Sequence, residues 1–460
     1  MRINSCWVYK KNCSIFFSCL FIVAIANAQQ KAQQTASNTF KAAVVKINIT
    51  PTTPKYLLGY DSRLSTGIHD SLYNRVILLD DGITQFVLAS TEVCELSPSE
   101  YDRVAAVLQK RLGINPLNFW WTVTHSHSAP ETGVPGLASV FAMGTRYNDH
   151  AIDTAYTSFV EDALINAITE ARKKLEPAKL GIGWGFSQAN INRRAIDVDG
   201  KASLGLNPDG PVDRRIGLIR LDKQDGTPLA LIANYPIHGT VLSGDNLKIS
   251  GDVPGVVADY VEKKTGVPMM FINGAAGNLA PIYSVYPNPD DGHLSQFRVL
   301  LGDKILDANK KIMSATGSVK LFTGALTVEA PRRKGLGWPP YLSGYTRTAA
   351  NGVDMVKVPI RFLRINDDIA IWSAPVELFC EIANEIRDAS PFPFTFFYGY
   401  TNGWLGYLPS EDQWQHGGYE TDEASAFTPE MTGIFTNAVK GYLQSEMRSM
   451  PVDHTGKNKK

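Results

Sequence analysis

Six short apolar runs, rich in β-branched and aromatic residues, constrain this chain more than any other feature. They lie at 42–49 (AAVVKINI), 74–81 (NRVILLDD), 85–90 (QFVLAS), 119–125 (FWWTVTH), 229–235 (LALIANY) and 269–274 (MMFING) and read as strands. Between them Ser99–Leu112, Asp153–Lys174 and Val253–Lys264 carry apolar residues at three- and four-residue intervals, the spacing of a helix with one buried face. Ser97-Pro98-Ser99-Glu100 supplies a capping signal for the first of these helices. Strands and helices intermixed without a repeat predict an α/β fold of mixed β-sheets flanked by helices, in one large domain of catalytic size over 41–447. With 460 residues, 44% hydrophobic and 20% charged, the chain can build a large core, which excludes disordered, collagen-like and coiled-coil classes.

The ends read differently. Arg2, Lys10 and Lys11 precede an uncharged apolar stretch, Ser14 to Ala26, and Ala26-Asn27-Ala28 offers small residues for cleavage, so residues 1–28 are expected to be a signal peptide and the mature chain secreted or periplasmic. A lipoprotein anchored at Cys19 is the alternative. No apolar run reaches the roughly 20 residues of a spanning helix. Residues 29–40 read as a polar tether and 448–460 as a mobile tail. Losing the signal removes three basic residues and no acidic one, leaving 42 against 45. The balance gives no basic footprint for nucleic acid and points to a small-molecule or lipid partner; oligomeric state is not legible. Of the five cysteines only Cys94 and Cys380 would remain, read as two buried thiols rather than a disulfide.

Chemistry concentrates in four places. Thr124-His125-Ser126-His127 follows a strand, where residues two apart share a face, so both imidazoles would project together from its carboxyl end. Two imidazoles on one face suit a metal, or one ligand beside one acid/base, and spacing leaves a structural pair equally open. Pro236-Ile237-His238-Gly239 delivers another histidine after a strand, and Ser250-Gly251-Asp252 offers a carboxylate to orient it. Asn273-Gly274-Ala275-Ala276-Gly277-Asn278-Leu279-Ala280-Pro281 is small enough for a ligand to approach backbone N–H groups, or is a tight turn. The fourth combines Ala374-Pro375-Val376-Glu377 with Gly406-Tyr407-Leu408-Pro409 and Gly417-Gly418-Tyr419-Glu420. Trp338-Pro339-Pro340-Tyr341 and Trp404 lie in apparent loops and would suit an acyl chain or a sugar ring. A nucleophile elbow is missing: Gly185-Phe186-Ser187-Gln188-Ala189 has no strand-to-helix pattern around it.

Taken in order, these segments, with Lys46-Ile47-Asn48-Ile49-Thr50-Pro51 and Gly67-Ile68-His69-Asp70 before Arg75, resemble the neutral/alkaline ceramidase family over roughly residues 41–435. The resemblance implies a Zn²⁺ hydrolase that cleaves the amide joining a fatty acid to a sphingoid base. It implies zinc ligands at His125, His238, Glu377 and Tyr407, a catalytic histidine beside the metal at His127, and contacts to the amide or its oxyanion from Arg193 and Tyr419. Ala280 replaces a family serine needed for ceramide cleavage, and Asn278 stands where the family has aspartate. The chain is also expected to lack the family's C-terminal β-sandwich. The alternatives are a zinc hydrolase of another N-acyl or ester substrate, such as a glycan or lipid derivative, and a non-catalytic binding protein on the same scaffold.

Overall fold

The computed structural model describes residues 39–133, 150–284 and 291–449; the signal-peptide expectation lies outside them. Eight strands form the main sheet: Lys41–Asn48 (β1), Tyr73–Asp80 (β2), Gln85–Thr91 (β3), Phe119–Val123 (β4), Glu176–Phe186 (β5), Arg215–Lys223 (β6), Pro228–Tyr235 (β7) and Met269–Asn273 (β8). Their spatial order is β8-β7-β6-β5-β1-β2-β3-β4. A second sheet runs Leu321–Pro331 (β9), Asp354–Ile365 (β10), Ile369–Ser373 (β11) and Phe394–Tyr398 (β12), in that order. The six sequence-read strands and three helices are all present, mostly within a residue or two of the expected bounds.

Alternation explains the layering. Ile77 and Leu79 of β2, Ile219 and Leu221 of β6, and Met270 and Ile272 of β8 face Leu363, Ile369, Ile371 and Phe396 of the second sheet. The intervening residues turn the other way. Val76 and Leu78 meet the helices Pro98–Leu112 (α1) and Thr154–Lys173 (α2), while Leu218, Ala233 and Phe271 meet Asp252–Thr265 (α3). Helices Cys380–Asp388 (α4) and Glu430–Arg448 (α5) join Phe362 and Trp372 of the second sheet in a common core. Both faces of each sheet are therefore apolar, which is why the strands read as nearly continuous hydrophobic runs. Phe40, read as the last residue of the tether, is fully buried in the layer between the sheets.

Local signals set the helix ends. Ser97 accepts from the Ser99 N–H, and Gly113, at φ 69°, closes α1 by donating to the Gln109 carbonyl. Asp153 caps α2 through the Tyr156 N–H.

Counted ladder by ladder, β4 and β8 run in opposite senses at opposite edges of the main sheet. A twist of about 20–25° per strand would accumulate to about 150° over such a sheet, enough to bring edges of opposite sense close to alignment, and here the two edges meet. Ser90 Oγ donates to the Phe271 carbonyl at 2.8 Å, and Asn273 Nδ2 donates to the Thr124 carbonyl at 3.2 Å. The second sheet joins at the same end: Val123 N–H donates to the Tyr400 carbonyl and Asn402 N–H to the Trp121 carbonyl. The carboxyl ends of β4, β7, β8, β11 and β12 thus open onto one place.

Candidate functional site

The two histidines after β4 converge, by a route that strand alternation does not describe. The strand ends at Val123, and His125 adopts a left-handed backbone with φ 63°, held by its N–H to the Val93 carbonyl. The chain then pairs with the residues after β7, His127 N–H donating to Gly239 O and Gly239 N–H to His125 O. A Cβ on Gly239 would lie 2.7 Å from that His125 oxygen, so only glycine permits the approach.

Each imidazole is oriented from behind by a backbone carbonyl. His125 Nδ1 lies 2.9 Å from Cys94 O, His127 Nδ1 2.9 Å from Gly59 O, and His238 Nδ1 2.9 Å from Leu279 O. A carbonyl only accepts, so all three rings carry the proton on Nδ1 and turn the Nε2 lone pair forward. Those lone pairs meet. His125 and His127 Nε2 are 3.1 Å apart, and Glu377 Oε2 is 3.3 Å from Nε2 of both His125 and His238. The His125 and His127 lone pairs and the Glu377 carboxylate converge with no proton between them, His238 Nε2 being met by the Arg193 guanidinium, and a divalent cation is what this donor set fits: two or three neutral imidazoles and one carboxylate. His125, His238 and Glu377 are all about 1% exposed or less.

Glu377 reaches the cluster from a two-residue strand paired in parallel with Tyr407–Leu408, which sets Glu377 beside Tyr407. Its carboxylate accepts from Trp404 Nε1 at 2.8 Å and Tyr400 Oη at 3.1 Å. Burial pushes the Glu377 carboxyl up, but His125 and His238 outweigh that and hold it well below the usual carboxylate range. Burial, followed by the Arg193 charge, pushes His238 down to about 3. Burial and then His125 and His238 hold His127 well below an ordinary imidazole. Tyr407 is raised well above an ordinary phenol by burial and then Glu377, so it stands as a neutral hydroxyl.

Arg193, on the strand Asn190–Ile196, lies along the cluster. Its guanidinium donates to His238 Nε2 at 3.0 Å, Tyr407 Oη at 3.0 Å and Glu420 Oε1 at 3.0 Å. Burial works against its charge, yet Tyr407, Glu420 and Glu377 raise its pKa above the ordinary arginine value. Tyr419 packs its ring against Tyr407, with centroids 5.6 Å apart. All seven sequence-predicted residues are therefore in one neighbourhood: six joined by polar contacts, Tyr419 by its ring.

Three expectations change. Asp252 does not orient an imidazole; it accepts from the backbone N–H groups of Val241, Leu242 and Val253. In 273–281 the glycines make room for backbone: Gly274 N–H donates to Tyr235 O, Gly277 N–H to Leu378 O, and a Cβ on Gly277 would lie 2.7 Å from Glu377 O. That loop is thin so that the Glu377 segment can lie on it. Trp404 is 2% exposed and binds Glu377, so it is a support for a candidate ligand and not a loop aromatic for an acyl chain or sugar.

Cys94 and Cys380 are free and buried, as read. Cys94 Sγ is 3.8 Å from His125 Nδ1, and with His125 and His127 it forms a second group of possible metal donors beside that of His125, His238 and Glu377. Sequence reasoning missed Tyr400 and Gly59, and gave Glu420, inside a quoted segment, no role. Tyr400 and Asn402 both have positive φ, flanking Thr401 beside Gly403. The one available signal was that short polar and glycine-containing segment between two apolar runs.

The comparisons agree with this geometry. The family profile described as neutral/alkaline non-lysosomal ceramidase, N-terminal, matches residues 40–276, which include His125, His127, Arg193 and His238. Neutral ceramidase B of Dictyostelium discoideum is 27% identical over 248 residues, 52% of this chain and 33% of that protein. Neutral ceramidase of Mycobacterium tuberculosis is 26% identical over 227 residues, again 33% of its length; the matched segment thus spans about a third of these relatives. The crystal structure of neutral ceramidase from Pseudomonas aeruginosa superposes with a TM-score of 0.72 at 19% identity, covering 92% of this chain and 76% of that one. This likeness shows the fold and extends it beyond the profile to the part carrying Glu377 and Tyr407. With a profile over more than half its length, the chain belongs to the neutral/alkaline non-lysosomal ceramidase family.

Proposed function

We propose that this chain is an exported zinc-dependent hydrolase that cleaves the amide of an N-acyl sphingoid base or a related lipid. The observation that carries the reading is the convergence of Nδ1-tethered imidazoles and a tethered carboxylate, with every Nε2 lone pair facing inward. His125, His238 and Glu377 would hold the ion, with the neutral Tyr407 hydroxyl beside them. When bound, zinc supplies Lewis acidity toward an acyl carbonyl and acidifies a water.

The chain's own groups do the rest. Arg193, fixed by Glu420 and Tyr407, offers N–H groups to the oxygen on which charge develops, and Tyr419 flanks it. His127 keeps Nδ1–H on Gly59 O and its Nε2 toward the site, the tautomer that accepts a proton and can return it to the departing amine. Tyr60 meets the His127 ring edge-on at 5.1 Å and fixes its plane.

Ala280 favours a second reading, a zinc hydrolase of another N-acyl or ester substrate. It is buried, pairs with Ile191 and follows Leu279, whose carbonyl holds His238; where the resemblance implies a serine it offers no hydroxyl, and no candidate ligand is altered. Product release from a panel of N-acyl and ester substrates, ceramide included, with zinc and with a chelator, decides. Chelator-sensitive release of fatty acid from ceramide supports the first reading. Release from another panel member alone replaces the substrate, and zinc uptake without any turnover overturns both.

A further inference from the structure

The three inward-facing imidazoles are not tethered alike. The carbonyls behind His125 and His238 belong to Cys94 and Leu279, both fully buried residues. The carbonyl behind His127 belongs to Gly59, half-buried in the loop of a small hairpin formed by Tyr56–Leu57 and Arg63–Leu64. The same loop supplies two more contacts to His127: the Tyr60 ring meets the imidazole edge-on at 5.1 Å, and Arg63 donates to the His127 carbonyl at 2.6 Å. The aim of His127 thus depends on where the segment 59–63 is held, whereas the carbonyls that aim His125 and His238 lie elsewhere.

Backbone bonds fix the base of this hairpin. Leu58 N–H donates to Ala129 O and Glu131 N–H to Tyr56 O, and Lys55 pairs with Asp153 at 2.5 Å. A side chain reaches the loop itself. His150, on the segment that leads into α2, lies flat on the Tyr56 ring, with centroids 3.7 Å apart and planes 10° from parallel. Its Nε2 is 2.8 Å from Glu131 Oε2 and its Nδ1 is 3.2 Å from Ser62 Oγ. A carboxylate accepts, so Nε2 carries a proton; the Ser62 hydroxyl then donates to Nδ1 of a neutral ring or accepts from a charged one. The bridge therefore exists in either charge state of His150. Tyr56 and Glu131 belong to the fixed base, so the ring they grip is a post, and Ser62 is bound to it three residues from Gly59.

We propose that His150 is a positioning residue for His127: from its seat on Tyr56 and Glu131 it binds Ser62, holds the segment 59–63 in place, and so fixes the Gly59 carbonyl that keeps the His127 proton on Nδ1 and its Nε2 toward the site. The inference rests on the reading of His127 as the group that carries a proton to the departing amine. It places the control of that group outside the candidate metal donors, so proton transfer and metal binding are set by separate parts of the chain.

Histidine-selective ¹⁵N NMR of the zinc-loaded chain, with zinc content and steady-state kinetics on the panel member it turns over, tests this. The His127 signals are assigned by their absence in His127→Ala. In His150→Ala zinc content stays full, the His127 nitrogens move from a single Nδ1–H tautomer toward a mixture, and those of His125 and His238 stay in place. On the same variant kcat falls about 10–100-fold while KM holds. Ser62→Ala deletes one hydroxyl from a half-buried loop and carries the test should His150→Ala fail to fold; it gives the same pattern at smaller size. The double variant is no worse than His150→Ala alone, because both groups lie on one path. An unchanged His127 tautomer in both variants overturns the proposal, as do additive effects of the two substitutions or loss of zinc from either. Absence of turnover by the unaltered chain would instead sink the hydrolase reading, and the imidazole signals would still decide what His150 does.

Discussion

The two faces of the 399–404 segment are built on opposite plans. Toward the histidines the groups that aim the site have protein partners: the imidazole Nδ1 atoms rest on carbonyls and the Glu377 carboxylate on Tyr400 and Trp404. Toward Arg361 the protein stops short, leaving Ser373 Oγ and Asn402 Nδ2 bare. The first face is preorganised, so its cost of ordering is met during folding and a ligand meets fixed donors. The second keeps buried polar atoms that no described residue satisfies. Neighbouring backbone thus serves as a rigid support on one side and as an unfinished wall on the other.

Removing a candidate donor from the finished face gives the largest effect. His238→Ala or His125→Ala is expected to abolish both metal uptake and hydrolysis, read as zinc content of the purified protein and product release. His127→Ala is expected to keep the metal and lose rate by about 10²–10⁴; metal loss from that variant would move His127 into the donor set. A smaller effect tests the support. Trp404→Phe strips Glu377 of one charged hydrogen bond, and zinc affinity is expected to fall about 10–100-fold, measured by competition with a chelating dye. The smallest effect sharpens the contrast: Ser373→Ala removes a group that has no partner, so the melting temperature stays level or rises, by the equivalent of about 1 kcal/mol at most. A clear loss of stability there would mean the hydroxyl is satisfied and the two faces are alike.

The elements of the fold were legible because a strand buried on both faces is a short, nearly continuous apolar run, as in β2, and a helix buried on one face repeats its apolar residues every three or four positions, as in α1 and α2. The candidate site was legible only as ordered motifs. That His125 and His127 point together comes from a left-handed residue and from Gly239 touching the His125 carbonyl, neither of which a strand-face argument contains. The role of 273–281 was misread because a run of small residues looks the same whether a ligand or another stretch of backbone comes close. Asp252 was likewise open to two uses, and its choice of the Val241, Leu242 and Val253 amides is set by a helix start that local sequence does not locate to the atom. Tyr400 and Trp404 carry no motif of their own; they matter because β12 ends where β4 ends.

The meeting of the two sheet edges has a consequence for how the chain acquires its chemistry. His125 and His238 follow strands at nearly opposite ends of an eight-stranded order, and the joint between β1 and β5 rests on two residue pairs. They become neighbours only when the whole twist is in place, after the contacts of longest sequence separation have closed, which are the slow ones. During refolding, metal uptake should therefore trail the recovery of secondary structure. A bound ion's contribution would grow as the logarithm of its concentration over Kd and fall on the global unfolding equilibrium, so metal-bound and free chain would differ in resistance to complete unfolding more than in the fraying of any single element.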